Sequence, residues 1–351
     1  MTRSFMLLPA CFVLLHLGTS LRLPSCPDDT ATIEAASSDA ASSDDAESAV
    51  GTQMGLPNIS EFKQVWTQRY HSERRLNEPL TNRVKLVLGV FSQPYQTEYR
   101  KVVQQTWLRQ KGVCLWRPGP PDETCRVHVA FVFGNSGNGD RVPLGADTSE
   151  ATAVQARTAA GSFVVDVPEN MNRGKTFAWF QAASKAFPWA THIGKCDVDT
   201  YPFLHKLISR MNEHACGMGT PYEFAGRAYV CNGGAPDTCH GYSGYFENSC
   251  APHECEKAYD SPEEHKILVS RRGQPFVYFG GPFYMMSRKL VEQVVRPGGW
   301  WETHKDKSED HTTAKAVDVT AAELNFCVST WRPDAYYHKT NEVSSEYANA
   351  L

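Results

Sequence analysis

Asp197 and Asp199, separated by Val198, are the residues whose type and spacing point most directly to chemistry. In extended chain the side-chain period is two, so both carboxylates face one side and Val198 the other. They follow Trp189-Ala190-Thr191-His192-Ile193-Gly194, which reads as a buried strand, and so fall where that strand runs out. Paired acids at the carboxyl end of an α/β strand make a seat for a hard divalent cation carrying a phosphorylated ligand. Lys195, just before the pair, and Lys175, upstream, are cations that could contact a diphosphate. A lysine flanking a strand is equally an ordinary exposed residue. An Asp-x-Asp alone is common in solvated turns, so the surrounding elements must decide.

Those elements alternate. Val84 to Phe91 is an apolar run with β-branched residues ending in Ser92-Gln93-Pro94, and the spacing of Tyr99, Val102, Val103, Thr106 and Trp107 predicts a helix from Thr97 through Leu108. Val127 to Phe133 reads as a second strand, closed by a glycine-rich turn at 134–139 that lacks the Gly-Lys-Ser/Thr ending of a phosphate loop. Further on, 151–160 reads as helix, Ser162 to Val167 as strand, Thr176 to Phe187 as helix, and His192 to Cys196 as the strand reaching the acid pair. This rhythm predicts a largely parallel sheet covered on both faces. Tyr201 to His214 is expected to be helical, and 217–275 to be a long Gly-, Pro- and Cys-rich excursion shaping a site or lid. Strand Pro275 to Phe279, a turn at Gly280-Gly281-Pro282, strand Phe283 to Met286 and helix Ser287 to Val295 follow. A lead-in helix is expected from Glu61 to Leu76, on the spacing of Phe62, Val65, Trp66 and Tyr70.

The amino-terminal residues look unlike folded core. Arg3 precedes an apolar run from Phe5 to Leu17, with small Gly18 and Ser20 after it, which reads as a signal peptide or, if uncleaved, a signal anchor over residues 1–20. Either puts the body on the lumenal or extracellular side. Residues 26–56 are rich in Ser, Ala, Asp and Glu and read as a flexible acidic stem, 21–60 with its flanks. The net charge of −4 comes without a basic stripe, which argues against nucleic acid as a partner.

Eleven cysteines fit an oxidising compartment. Cys114 and Cys125, then Cys231, Cys239, Cys250 and Cys255, sit in Gly/Pro-rich stretches where disulfides can staple long loops. A zinc site among Cys231, Cys239, Cys250, Cys255 and His240 or His253 is the competing reading, disfavoured because no Cys-x-x-Cys occurs. Asn58-Ile59-Ser60 is the sole glycosylation sequon.

With strands, helices and acids in order, the body resembles the β-1,3-galactosyltransferase and β-1,3-N-acetylglucosaminyltransferase family. Gly89-Val90-Phe91-Ser92 followed by Tyr99-Arg100 and Gln105-Thr106-Trp107 is similar to that family's first strand, Ser, Arg and Thr-Trp signature. Asp166 to Thr176, with Asn170 and Lys175, is similar to its Asp, Asn and Lys-Thr segment. Lys195-Cys196-Asp197-Val198-Asp199 matches Lys-x-Asp-Asp-Asp, and Tyr278 to Ser287 its Tyr-x-x-Gly-x-Gly-Tyr-x-x-Ser. Ser308-Glu309-Asp310-His311 falls where the family has Glu-Asp-Val. The chain departs at Val198 for the middle acid, Pro282 for a glycine and His311 for valine; the last two bear on the acceptor pocket rather than on the reaction type.

The resemblance implies an α/β GT-A nucleotide-sugar transferase fold: one catalytic domain over 84–345, preceded by a lead-in segment at 61–83, with a mostly parallel sheet flanked by helices. It implies an inverting enzyme moving galactose or N-acetylglucosamine from a UDP-sugar to a glycan hydroxyl on a glycoprotein or glycolipid, forming a β-1,3 link. It further implies a divalent cation, Mn2+ by preference, held by Asp199 and His338, with Asp197 on the cation or its water shell and ribose. Lys175, Lys195 and Arg100 are the donor-binding candidates, and Asp310 is the base that takes the acceptor proton. For Arg100 and Trp107, packing beside the first strand is an equal reading. Trp300 and Trp301 read either as a sugar-stacking platform or as core. The implied location is the Golgi lumen, as a single-pass membrane protein held by its amino-terminal segment, or secreted. A secreted, disulfide-stapled glycan-binding protein without turnover is the second reading.

Overall fold

The computed structural model describes residues 56–80, 83–139, 142–214, 221–231, 239–241, 268–270, 276–324, 326, 328–331, 333 and 335–338. All belong to the compact unit Ser48–Leu351, distinct from Met1–Glu47. The leader, most of the stem and the cysteines at 250 and 255 lie outside the described residues. Among the described residues, no helix is long and apolar enough to cross a membrane.

Helix α1 (Ile59–Ser72) opens the described chain, capped by the exposed Asn58, whose side chain accepts from Ser60 N. The alternation then runs β1 (Leu86–Phe91), α2 (Thr97–Gln105), β2 (Val113–Leu115), β3 (Val127–Ser136), α3 (Glu150–Thr158), β4 (Ser162–Pro168), α4 (Lys175–Ala186) and β5 (His192–Asp197). After β6 (Thr200–Pro202) and α5 (Leu204–His214) come β7 (Glu223–Cys231), β8 (Cys239–Gly241), β9 (Leu268–Ser270) and β10 (Phe276–Ser287). The described chain finishes with α6 (Arg288–Val294), α7 (Trp300–His304), α8 (Glu309–Leu324), β11 (Val328–Trp331) and β12 (Tyr336–His338).

The central sheet is mixed α/β in architecture and mainly parallel, with strand order β2-β3-β1-β5-β10-β7-β11-β9 and β4 beside β3. Strands β1 to β5 all run parallel, whereas β10 is antiparallel to both β5 and β7. Both faces are covered, which is why β1 reads as an unbroken apolar run rather than an alternating one. Val87 and Phe91 enter one core with Phe180, Tyr284 and Val317; Leu86, Leu88 and Val90 enter the other with Trp66, Trp107 and Leu204. The close fit is visible at Gly89, where an added Cβ would meet the Trp179 indole at 2.5 Å. Trp179 Nε1 donates to Gly194 O at 3.1 Å, fixing the ring across β1.

Several expectations need correction. The stretch 275–286 is not two strands around a turn but one strand, β10, with a register shift between Phe279 and Tyr284 where Gly280-Gly281-Pro282 bulges. Tyr201 belongs to a strand, not a helix, because β6 pairs antiparallel with β12 in a separate two-stranded sheet. The acid pair is not fully extended: β5 ends at Asp197, and Val198 and Asp199 form a turn. Helix α8 starts at Glu309, so Glu309 and Asp310 lie in its first turn. Trp301 is 2% exposed against Phe177 and Phe180, so the core reading holds for it rather than the sugar platform; Trp300 stacks on His304. Cys114 and Cys125 form a disulfide that closes the loop between β2 and β3, and Cys196 is a buried free thiol.

Candidate active site

The site is built on the carboxyl edge of β1, β3, β4 and β5, the edge where open α/β sheets collect ligands. Asp199, in the turn after β5, is 9% exposed, and its Oδ2 lies 3.4 Å from His338 Nε2. The partner comes from far along the chain. The β6–β12 register sets His338 opposite Thr200, one residue past Asp199, and so delivers an imidazole from the carboxyl-terminal segment. Thr200 Oγ1 donates to Pro282 O at 3.0 Å, tying this small sheet to the β10 bulge.

Asp197 faces elsewhere. Its Oδ1 lies 2.9 Å from Lys195 Nζ, and burial pushes its carboxyl up despite that lysine, with Asp199 adding to the rise. Among the described residues the only three ligand atoms within 4.8 Å of one another are those of Cys114, Asp122 and Cys125, two of which are spent in the disulfide. Asp197, Asp199 and His338 are therefore neighbours rather than a closed three-ligand cage. The direct pair is Asp199 with His338. Their carboxylate and imidazole donors, with a second carboxylate alongside, suit a divalent cation of the Mg2+ or Mn2+ kind that keeps waters in its shell.

Lys195 is fully buried and joins the halves of the site. It sits on the face of β5 that also carries Ile193, under the helices, so it cannot reach solvent. Its ammonium donates to Gly281 O, to Asp197 and, at 3.2 Å, to Glu309 Oε2. Burial works against its charge, but Asp197 and Glu309 outweigh burial and hold its pKa above the ordinary lysine range. Glu309 also accepts from the Tyr284 hydroxyl, and burial lifts its carboxyl to about 7 although Lys195 opposes the rise. Asp310, next on α8, accepts from Gly281 N at 3.3 Å and from His311 N at 2.8 Å. A continuous path thus runs from Asp310 through Gly281 and Lys195 to Asp197. A Cβ on Gly281 would sit 3.4 Å from Glu309 Oε2 and 3.5 Å from Lys195 Nζ, so the bulge places bare backbone where those groups converge.

The other cations are committed to protein groups as well. Lys175, 1% exposed at the start of α4, pairs with Glu169 and donates to Ser92 O at 3.3 Å. Burial lowers its pKa, with Glu169 opposing. Glu169 also accepts from Gly134 N at 2.6 Å, so one ion pair ties the ends of β3 and β4 to the loop after β1. Arg100 donates to Ser92 Oγ, Gln93 O, Pro94 O and Thr97 Oγ1, and burial brings its pKa down to about 10. Both side chains brace the rim of the site, and neither is turned toward an open surface.

The structure thus brings together Asp197, Asp199, His338, Lys195 and Asp310, and sets Lys175 and Arg100 along the same edge. Sequence reasoning missed Glu309, Tyr284 and Glu169 as members of the network. The signal available was their place inside the family-like segments, since an acid beside a lysine-rich loop otherwise reads as solvated.

Comparison with known proteins completes the picture. A search of curated proteins returned no match. Among solved structures, the chain is similar to the inositol-1-phosphate CTP transferase from T. maritima at 12% identity and a TM-score of 0.30, over 78% of this chain and 99% of that one. A likeness that distant carries no argument about activity. The model of the galactosyltransferase family, in contrast, matches residues 98–310, a span that contains α2, the acid pair, the β10 bulge and Asp310. That match covers more than half of the sequence, and the chain belongs to the galactosyltransferase family.

Proposed function

We propose that this chain, whose family performs glycosyl transfer, is a UDP-sugar-dependent hexosyltransferase. It moves galactose or N-acetylglucosamine to a glycan hydroxyl with inversion, forming a β-1,3 link, in the lumen of the secretory pathway. One observation carries the reading: His338 Nε2 stands 3.4 Å from Asp199 Oδ2, with Asp197 two residues away, at the carboxyl edge of a parallel sheet. A carboxylate as buried as that of Asp199 is costly to hold without a countercharge. A divalent cation such as Mn2+ would supply that charge and offset the negative charge of a departing diphosphate.

The protein's own residues divide the remaining work. Asp199 and His338 would hold the cation, and Asp197, restrained by Lys195, would contact the ribose or the cation's waters. Asp310, in the first turn of α8, accepts the proton of the attacking hydroxyl. Attack by that hydroxyl opposite the leaving group turns an α-linked donor into a β-glycoside. Lys195 and Glu309 touch no substrate in this scheme; they fix the spacing between the cation side and the base side.

The test is UDP release from a panel of UDP-sugars with Mn2+, with and without a glycan acceptor. Release should fall at least a hundredfold in Asp199→Ala and in His338→Ala, and acceptor-dependent release should fall in Asp310→Asn, roughly the scale of lost electrostatic or acid–base catalysis. A purified chain that binds glycans yet liberates UDP from none of the donors would leave the lectin-like reading in its place.

A further inference from the structure

A second site lies on the opposite side of the small β6–β12 sheet. Within β12, Tyr336 and His338 point one way and Tyr337 the other. Tyr201, opposite Tyr337 in the register, shares its face. His338 thus serves the acid pair, while Tyr337 lines a cavity of about 670 Å³ between α1 and the start of α5. That volume accommodates one or two sugar rings, far more than a lone oxyanion needs.

The lining is strongly biased in charge. Arg69, Arg74, Arg75 and Lys206 face it together with His205, and Glu73 is the sole acid in the wall. Arg75 is engaged by Glu78 at 2.7 Å, and the Arg69 guanidinium lies 3.4 Å from the centre of the Tyr337 ring. Inside, Arg69 Nε and His205 Nε2 are buried without a hydrogen-bond partner, while the Glu73 carboxyl and the Tyr201 hydroxyl lie against each other as a pair. Folded proteins leave few such groups, and a cluster beside a cavity points to a missing polar occupant. Burial lifts Glu73 to about 7, with Tyr201 opposing, so at neutral pH much of its opposing charge is absent. Val65 and Phe203 supply an apolar wall.

We propose that this cavity binds the acidic end of a saccharide, the sugar carboxylate meeting Arg69 and the flanking Arg74 while the ring lies against Val65 and Phe203. A carboxylate answers the cations of the wall, and the volume exceeds what a simple oxyanion fills. The choice of a sugar leans on the glycosyl-transfer chemistry of the family; the site itself does not depend on Asp199 or on any cation.

Binding to the full chain is measured by calorimetry with three probes: a disaccharide ending in glucuronate, its neutral glucose-ended counterpart, and inorganic sulfate. The uronate should bind at least tenfold more tightly than either of the others. That preference should collapse in Arg69→Gln and in the exposed-residue variant Arg74→Glu, the second guarding against a folding defect in the first. Binding should persist in Asp199→Ala, which separates this site from the proposed catalytic one. Equal affinity for the neutral sugar, equal affinity for sulfate, or no binding of the uronate each overturns the proposal.

Discussion

At the scale of single residues, burial decides what the charged groups do. Lys195 reads from sequence as an exposed lysine at a strand end, yet the covered face of β5 makes it the hub of a buried network with Asp197, Glu309 and Gly281 O. Removing one member of a buried ion pair strands the others. Lys195→Ala should therefore cost about 3–5 kcal/mol in denaturant unfolding, far beyond the typical value for an exposed lysine. Gly89→Ala should cost about 1–3 kcal/mol, because the added methyl collides with Trp179 and must displace it. Glu73 gives a test with a definite sign. Its folded pKa of about 7 lies above the ordinary carboxyl value of 4.5, so the folded chain holds the proton more tightly than the unfolded one. Its contribution is fully present below pH 4.5 and is lost as pH climbs through about 7. Glu73→Gln should thus raise the melting temperature more at pH 8 than at pH 5, and equal shifts at both would show that Glu73 is not held protonated.

At the scale of elements, the regular alternation was legible and the inserted pieces were not. Strands β1, β3, β4 and β5 and helices α2 and α4 follow the apolar periods closely, since each packs against a covered sheet where pattern and environment agree. Three-residue strands such as β6 and β12 carry too few positions for a period and exist through their pairing with each other. The same holds for the β10 bulge, where Gly-Gly-Pro reads locally as a turn but long-range pairing with β5 and β7 carries the strand through it. The consequence for the site is uneven. The Asp197–Asp199 spacing was visible in sequence, whereas the contact of Asp199 with His338 depends on a strand pair that only the folded chain reveals. Breaking that pair should separate stability from chemistry. Tyr336→Pro, in the strand that brings His338, should abolish Mn2+-dependent UDP release while leaving the main sheet's far-ultraviolet circular dichroism largely intact.

At the scale of the whole molecule, the Cys114–Cys125 disulfide suits an oxidising compartment, in keeping with a family typical of the secretory pathway. Cys114→Ser should lower stability by about 2–4 kcal/mol, read from urea midpoints with and without reductant, and reduction should have no further effect on that variant's β2–β3 loop. The long-range pairing of β5 with β10 and of β6 with β12 means that the sheet cannot be completed from local contacts. A chain assembled this way should refold slowly compared with a helical protein of its size.

The lateness of β12 has one more effect. His338 is contributed by the final described strand, so its contact with Asp199 exists only once that strand has paired with β6. Under the proposed mechanism, a chain cut after Ala335 should keep the parallel half of the sheet, Asp197, Asp199 and Asp310, and yet release no UDP.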